Sequence, residues 1–182
     1  MTTYYKAMLE NGLTRYERPG WHLPKGKRPG KWMPKIQNIK LCESGYHVCT
    51  LEQLPEWIGP AIYEVEVRGD CVQDQDKSAW QQARLLRRIE GWGIAEMVEW
   101  AQKCANHVSH LRVSAHYAAS SSAASASATY ASHASYASHA ASASAHAASA
   151  AHAASASVAP VYAEERQWQI TLLTQMLNLQ GE

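Results

Sequence analysis

The segment 113–163 contains no Asp, Glu, Lys or Arg, and within 114–163 there are 23 Ala and 14 Ser, with His and Tyr making up most of the remainder. No other part of the chain limits its folding so sharply. Tyr130-Ala-Ser, His133-Ala-Ser, Tyr136-Ala-Ser and His139-Ala-Ala form a tandem of tripeptides inside it. Two conformations compete. Ala is the best helix former, and about 50 helical residues would reach roughly 75 Å, or half that as a hairpin. A three-residue step advances about 300° around an α-helix, so His and Tyr drift around the cylinder instead of forming one stripe. A stacked β-solenoid would hold a short repeat in register, yet Ala is poor in strands and the turn formers Gly, Asn and Asp are missing. The composition therefore predicts an α-helical arm over 113–163, whose small faces let helix backbones pack closely on each other or on a partner.

The remainder predicts an α+β chain: a small N-terminal mixed strand and helix domain, a helical segment, the arm and a closing helix. Over 1–78, Thr2–Leu9 is an opening strand that ends at the turn Asn11-Gly12, with Leu13–Glu17 pairing back. Pro and Gly scattered among Lys, Arg and Trp make 18–35 an exposed loop. Ile39–Cys42 and Tyr46–Cys49 are short strands around Glu43-Ser44-Gly45. A short helix is expected within Leu51–Ile58, with Thr50 and Gln53 spaced as a capping box and Pro55 as an alternative start. In Ile62–Arg68 the residues Tyr63, Val65 and Val67 alternate with Glu64, Glu66 and Arg68, the pattern of a half-buried strand.

From 79 to 112 the spacing of Trp80, Ala83, Arg84, Arg87 and Arg88, and then of Ile94, Met97, Ala101, Cys104 and Val108, predicts amphipathic helices broken at Gly91-Trp92-Gly93. In 164–182 the residues Trp168, Leu172, Leu173, Met176 and Leu179 predict a C-terminal amphipathic helix, with Glu164 and Glu165 in its first turn.

Charge is divided along the chain although the total is only +1. Residues 1–40 hold nine Lys and Arg against two Glu. Arg18, Lys25, Lys27, Arg28, Lys31 and Lys35 interleave with Trp21 and Trp32, the mixture of cations and aromatics that nucleic-acid backbones and unpaired bases reward. These eight residues are the candidate macromolecule-binding surface. No run of about 18 apolar residues is present for a membrane span. The first residues lack the regions of a secretory signal, and the four cysteines read as reduced thiols of a cytoplasmic protein. Cys42, His47 and Cys49 do not have the spacing of a zinc ligand pair, and no two histidines of the arm stand four apart, so no metal site is expected. Glu64 and Glu66 share one strand face, which a solvated strand explains as well as an acid/base pair does. There is no nucleophile elbow and no phosphate-binding Gly-rich loop.

Cys42-Glu-Ser-Gly-Tyr-His-Val-Cys, Ile62-Tyr-Glu-Val-Glu-Val-Arg-Gly-Asp and Asp76-Lys77-Ser78 resemble the motifs of an uncharacterised bacteriophage and prophage domain family, in which an Ala-rich repeat tail often follows. The ending Ala163-Glu-Glu-Arg-Gln-Trp-Gln is similar to a helix that closes many Ala-rich phage and immunity-type proteins. That family brings no settled activity with it; the basic aromatic loop and the Ala-rich arm, with no catalytic constellation beside them, lead to the expectation of a non-enzymatic phage or prophage accessory protein without a cofactor. It would work in the bacterial host cytoplasm by binding a host or phage protein or nucleoprotein, for instance to inhibit a defence system. A looser resemblance, carried by Lys6 on the first strand and Gly45-Tyr46-His47-Val48, is to ADP-ribosyltransferase-like domains. It implies an NAD-binding enzyme with Lys6, Tyr46 and His47 as catalytic candidates, although the usual first-strand Arg or His is Lys here and no late catalytic Glu is evident. A third expectation is a self-assembling structural protein, oligomeric through the Ala-rich arm and the C-terminal helix.

Overall fold

The computed structural model describes residues 2–14, 20–107 and 158–179. The predicted arm at 113–163 falls almost wholly outside these residues, as do Arg18 and most of the strand expected at Leu13–Glu17. The chain divides into two compact units, 1–91 and 92–182.

The first unit is built on an antiparallel sheet of four strands, β1 (Tyr4–Met8), β2 (Tyr46–Val48), β3 (Ala61–Gln73) and β4 (Ser78–Arg88), in the order β1-β3-β4-β2. Its backbone is the long β3–β4 hairpin. β1 pairs with the base of β3, Tyr4 opposite Val65 and Met8 opposite Ala61, while β2 pairs with the start of β4, Tyr46 opposite Trp80. Two register shifts interrupt the hairpin, between Glu64 and Val65 and between Arg68 and Cys71. Such bulges bend a strand and increase its twist. At the second, Gly69 takes φ +85° and Gln81 braces the kink, donating from Nε2 to Asp70 Oδ2 at 3.1 Å. The hairpin curls far enough for the outer strands to meet: Tyr5 N donates to the Cys49 carbonyl at 2.7 Å and Cys49 N to the Tyr5 carbonyl at 3.0 Å. This bridge joins the two edges of the sheet and so occupies backbone groups that an open strand edge would leave unpaired.

Inside the curl Met8, Val48, Ala61, Tyr63, Val65, Ala83 and Leu85 form a buried cluster, with Tyr4, Trp21, Tyr46, Val67 and Trp80 packed against it. The alternation expected for Ile62–Arg68 holds, and the strand extends further than its apolar pattern, to Gln73. The helix expected at the start of 79–112 is instead β4. Ala79, Gln81, Ala83 and Leu85 are buried in alternation, a period of two that the good helix formers Ala, Gln, Arg and Leu conceal. Pairing with β3 overrides their local preference. At Ile39–Cys42 there is no strand, only a bridge between Lys40 and Ser44 around a turn in which Cys42 has φ 64°. The helix expected within Leu51–Ile58 is a single 3₁₀ turn, Leu54–Glu56, with Pro55 in its first positions. Half of the capping box forms, Thr50 N donating to Gln53 Oε1 at 3.0 Å. Gln53 Nε2 and Trp57 Nε1 then donate to the carbonyls of Gln75 and Asp76 at 3.0 and 2.7 Å, fixing the tip of the β3–β4 hairpin.

The second unit contains α1 (Ile94–His107) and α2 (Val158–Met176), where helices are expected beyond Gly93 and at the C-terminus; α2 begins before residue 164, so Glu164 and Glu165 lie beyond its first turn rather than within it. Met97, Trp100, Ala101 and Cys104 are buried on α1, and Glu165, Gln169 and Leu173 on α2. The two helices meet through polar as well as apolar groups. His107 Nδ1 lies 2.6 Å from Glu165 Oε2, and the His107 ring stacks on Trp168 with centroids 3.8 Å apart. Gln169 Nε2 donates to Glu165 Oε1 at 3.0 Å, so the buried carboxylate is satisfied on both oxygens. Burial nevertheless raises the Glu165 pKa above its ordinary value. Among the described residues no helix is long and apolar enough to cross a membrane.

Candidate functional site

Two features of the first unit bear on function: a pocket and a basic surface. The pocket, about 470 Å³ in volume, lies where β1 and β2 meet, and its wall includes Lys6, Trp21, Cys42, Tyr46, His47, Trp57 and Lys77. The three residues singled out on the first strand and on Gly45–Val48, namely Lys6, Tyr46 and His47, are therefore brought to one place, because the Tyr5–Cys49 bridge sets β1 beside β2.

Lys6 is held across that junction. Its Nζ donates to the His47 carbonyl at 2.9 Å and lies 5.5 Å from the centre of the Trp21 ring. Burial pushes the Lys6 ammonium down from 10.5 to about 8, although the neighbouring Cys49 works weakly in the other direction. Removal from water disfavours the charged form, and no carboxylate among the described residues stands beside Lys6 to offset it. The Cys49 thiol, buried in turn, is pushed up to about 12 and is inert as a nucleophile.

His47 accepts a hydrogen bond at Nε2 from Cys42 N at 2.9 Å, which assigns its proton to Nδ1. Burial lowers its pKa, and the nearby Lys6 and Lys77 charges lower it further, so the imidazole is neutral near pH 7. The left-handed backbone of Cys42 aims its N–H at the ring. Tyr46 donates from its hydroxyl to the Pro34 carbonyl at 2.8 Å and meets Trp21 edge to face, with centroids 5.6 Å apart.

Trp57 and Lys77 were not singled out by sequence reasoning. They arrive from the 3₁₀ turn and the hairpin tip, and Lys77 Nζ sits 4.8 Å from the Trp57 ring centre and 3.3 Å from Asp76 Oδ2. Asp76-Lys77-Ser78 carries the signal, yet spacing alone does not bring it beside His47; the pairing of β2 with β4 does, His47 lying opposite Ala79. Cys42, His47 and Cys49 do not converge on a metal, and among the described residues no group of three His, Cys, Asp or Glu side chains is placed to hold one.

The basic surface differs from the expected loop. Residues 30–36 run along β4 as an irregular edge, with Gly30 N, Met33 N and Ile36 N donating to the carbonyls of Leu85, Ala83 and Gln81 at 2.8, 2.9 and 3.0 Å. Lys25 and Arg28 exchange backbone hydrogen bonds across a tight turn. Lys25, Lys27, Arg28, Lys31 and Lys35 are exposed. None of the five makes an ion pair with a described residue. The two tryptophans are not displayed with them. Trp21 lines the pocket, and Trp32 is held between Arg68 and Arg84, whose guanidinium carbons lie 3.9 and 4.8 Å from its ring centre. Arg84 is itself paired with Glu66, and Arg87 with Glu64, at 2.6 and 2.7 Å, which accounts for both strand carboxylates. Comparison with protein-family models, with curated proteins and with solved structures returns no match.

Proposed function

We propose that the chain is a non-enzymatic binding module whose basic surface docks on an acidic protein. The observation that carries this reading is the contrast along 25–35: a backbone fixed to β4 and in a tight turn, bearing five exposed cations without an acidic partner among the described residues. Fixing a charged surface before association reduces the ordering cost of binding, and a one-sign patch steers an oppositely charged partner. With Trp21 in the pocket wall and Trp32 against Arg68 and Arg84, the described residues of this surface display no tryptophan beside the cations for unpaired bases to stack on, which favours an acidic protein over single-stranded nucleic acid. In this reading the chain is a phage or prophage accessory protein of the bacterial cytoplasm, where covering a host surface, such as part of a defence system, requires no catalytic group. Affinity capture from nuclease-treated bacterial lysate tests it. A stoichiometric acidic protein that dissociates with salt, and that is lost when Lys25, Lys27, Arg28 and Lys31 are all changed to Gln with the melting temperature unchanged, is the expected result. Capture that survives the four changes, or that depends on nucleic acid, overturns it.

The convergence of Lys6, Tyr46 and His47 on one pocket favours a second reading, an NAD-binding enzyme. It requires thermal stabilisation by millimolar NAD that His47→Ala removes; an unshifted transition ends it. The self-assembly reading rests on the arm, almost all of which lies outside the described residues, and on the C-terminal helix.

A further inference from the structure

We propose that the pocket between β1 and β2 takes a small conjugated aldehyde bearing an anionic group, which Lys6 captures as an imine. This is independent of the basic surface. The pocket volume, about 470 Å³, falls in the range of small-molecule sites. Its walls include the aromatic side chains of Trp21, Tyr46 and Trp57, a lining that suits a conjugated ligand.

Two lysines reach this cavity under opposite influences. Lys6 makes one hydrogen bond, to the His47 carbonyl, and has no carboxylate beside it among the described residues. Burial brings it to about 8, so that roughly a tenth of the molecules carry a neutral amine at pH 7, against well under one in a thousand for an ordinary lysine. Burial is the largest influence on Lys77 and acts in the same sense, but the charge and hydrogen bond of Asp76 together with those of Cys42 leave the Lys77 pKa raised, so that this side chain stays charged. One lysine is thus prepared as a nucleophile and the other as an anchor for negative charge, a division that desolvation and a counter-ion can impose on identical groups.

The reaction is balanced without an added oxidant or reductant. The Lys6 ammonium first releases one proton to solvent, and the freed Nζ lone pair adds to the aldehyde carbon while the C=O π pair moves to oxygen. One proton then passes from the nitrogen to that oxygen, giving the neutral carbinolamine. Its hydroxyl takes a proton back from solvent and leaves as water as the nitrogen lone pair forms the C=N bond, so the protonated imine carries the one positive charge that the ammonium held. The His47 carbonyl, 2.9 Å from Nζ, orients the amine before attack.

The test uses the full chain near neutral pH with pyridoxal 5′-phosphate below one equivalent as the probe, borohydride trapping and peptide mass mapping. Lys6 is expected to carry at least about tenfold more label than any of the exposed Lys25, Lys27, Lys31 and Lys35. Pyridoxal without its phosphate is expected to label Lys6 about tenfold less, and Lys77→Gln to erase that difference. Label spread over the exposed lysines with Lys6 no higher overturns the imine site, and equal labelling of Lys6 by the two probes overturns the anionic anchor. Since the map is made on the unaltered chain, its outcome does not depend on a variant folding. Lys6→Arg, where it folds, is expected to lose the imine absorbance.

Discussion

A Cβ on Gly30 would overlap the His22 carbonyl oxygen and lie 3.4 Å from that of Leu85, both backbone atoms that cannot step aside. Gly30→Ala is therefore expected to pull the basic edge off β4 and to cost about 3 kcal/mol, read as a lower urea midpoint. Gly26, at φ +58° with open space around it, is the control; Gly26→Ala is expected to cost only about 1 kcal/mol, the local penalty of a left-handed backbone. Lys6 makes a different kind of prediction. Its folded value near 8 lies below its ordinary 10.5, so between these pH values the unfolded chain holds the proton that the folded chain has lost. Stability gained from this group therefore rises with pH across that window and is absent below it. The Cys49 thiol and the Tyr5 phenol, each raised to about 12, and the Cys104 thiol, also raised by burial, act with the opposite sign, so the pH trend of the unaltered chain mixes all four. Subtracting the profile of Lys6→Met from that of the unaltered chain is expected to leave a difference that climbs from pH 8 upward; a flat difference would mean that the amine stays protonated.

The β3–β4 hairpin carries the architecture, and its tip is held by two side chains from outside it, Gln53 and Trp57. Gln53 accepts from Thr50 N and donates to the carbonyls of Asp74 and Gln75 at 3.3 and 3.0 Å. Gln53→Ala is expected to cost about 1–2 kcal/mol and to speed amide exchange at Thr50 and Asp74, leaving exchange at the bulge around Gly69 unchanged. The elements also show what is legible in the sequence. Ile62–Arg68 announces itself because Tyr63, Val65 and Val67, aromatic or β-branched, alternate with the charged Glu64, Glu66 and Arg68. Its partner β4 does not, because Ala79, Gln81 and Ala83 are small or polar where the curl is tight. Gln81 is buried to brace Asp70, a tertiary reason with no trace in local periodicity. Lys6, Tyr46 and His47 are singled out only by the resemblance to ADP-ribosyltransferase-like domains, whereas Trp57 and Lys77 have no such pointer: Trp57 reaches the pocket from the 3₁₀ turn and Lys77 from the tip of a hairpin whose second strand has the composition of a helix. The basic surface is legible as charge. That its backbone is a fixed edge depends on hydrogen bonds to β4, which propensity does not encode.

At the scale of the molecule, every pocket-lining residue lies between Tyr5 and Lys77, and every described residue of the basic surface between Trp21 and Lys35. Both features belong to the unit 1–91, whose buried cluster is drawn entirely from β1 to β4. The unit ends at Gly91, in the left-handed region at φ +75° with nothing near its missing Cβ, the kind of open junction at which domains separate. A fragment of residues 1–91 is therefore expected to fold alone. It should show one cooperative thermal transition, and near-ultraviolet dichroism from Trp21, Trp32, Trp57 and Trp80 held in fixed surroundings. Nine of the chain's Lys and Arg lie in its first 40 residues, so the fragment should also keep the salt-sensitive capture proposed for the basic surface, and 92–182 should capture nothing by that route. A fragment that keeps strand content but loses the tryptophan signal and the cooperative transition would mean that the curl of the sheet closes only when the rest of the chain is attached. A folded fragment that fails to capture the partner would instead move the binding surface into 92–182, separating the stability of the curled sheet from the use made of its basic edge.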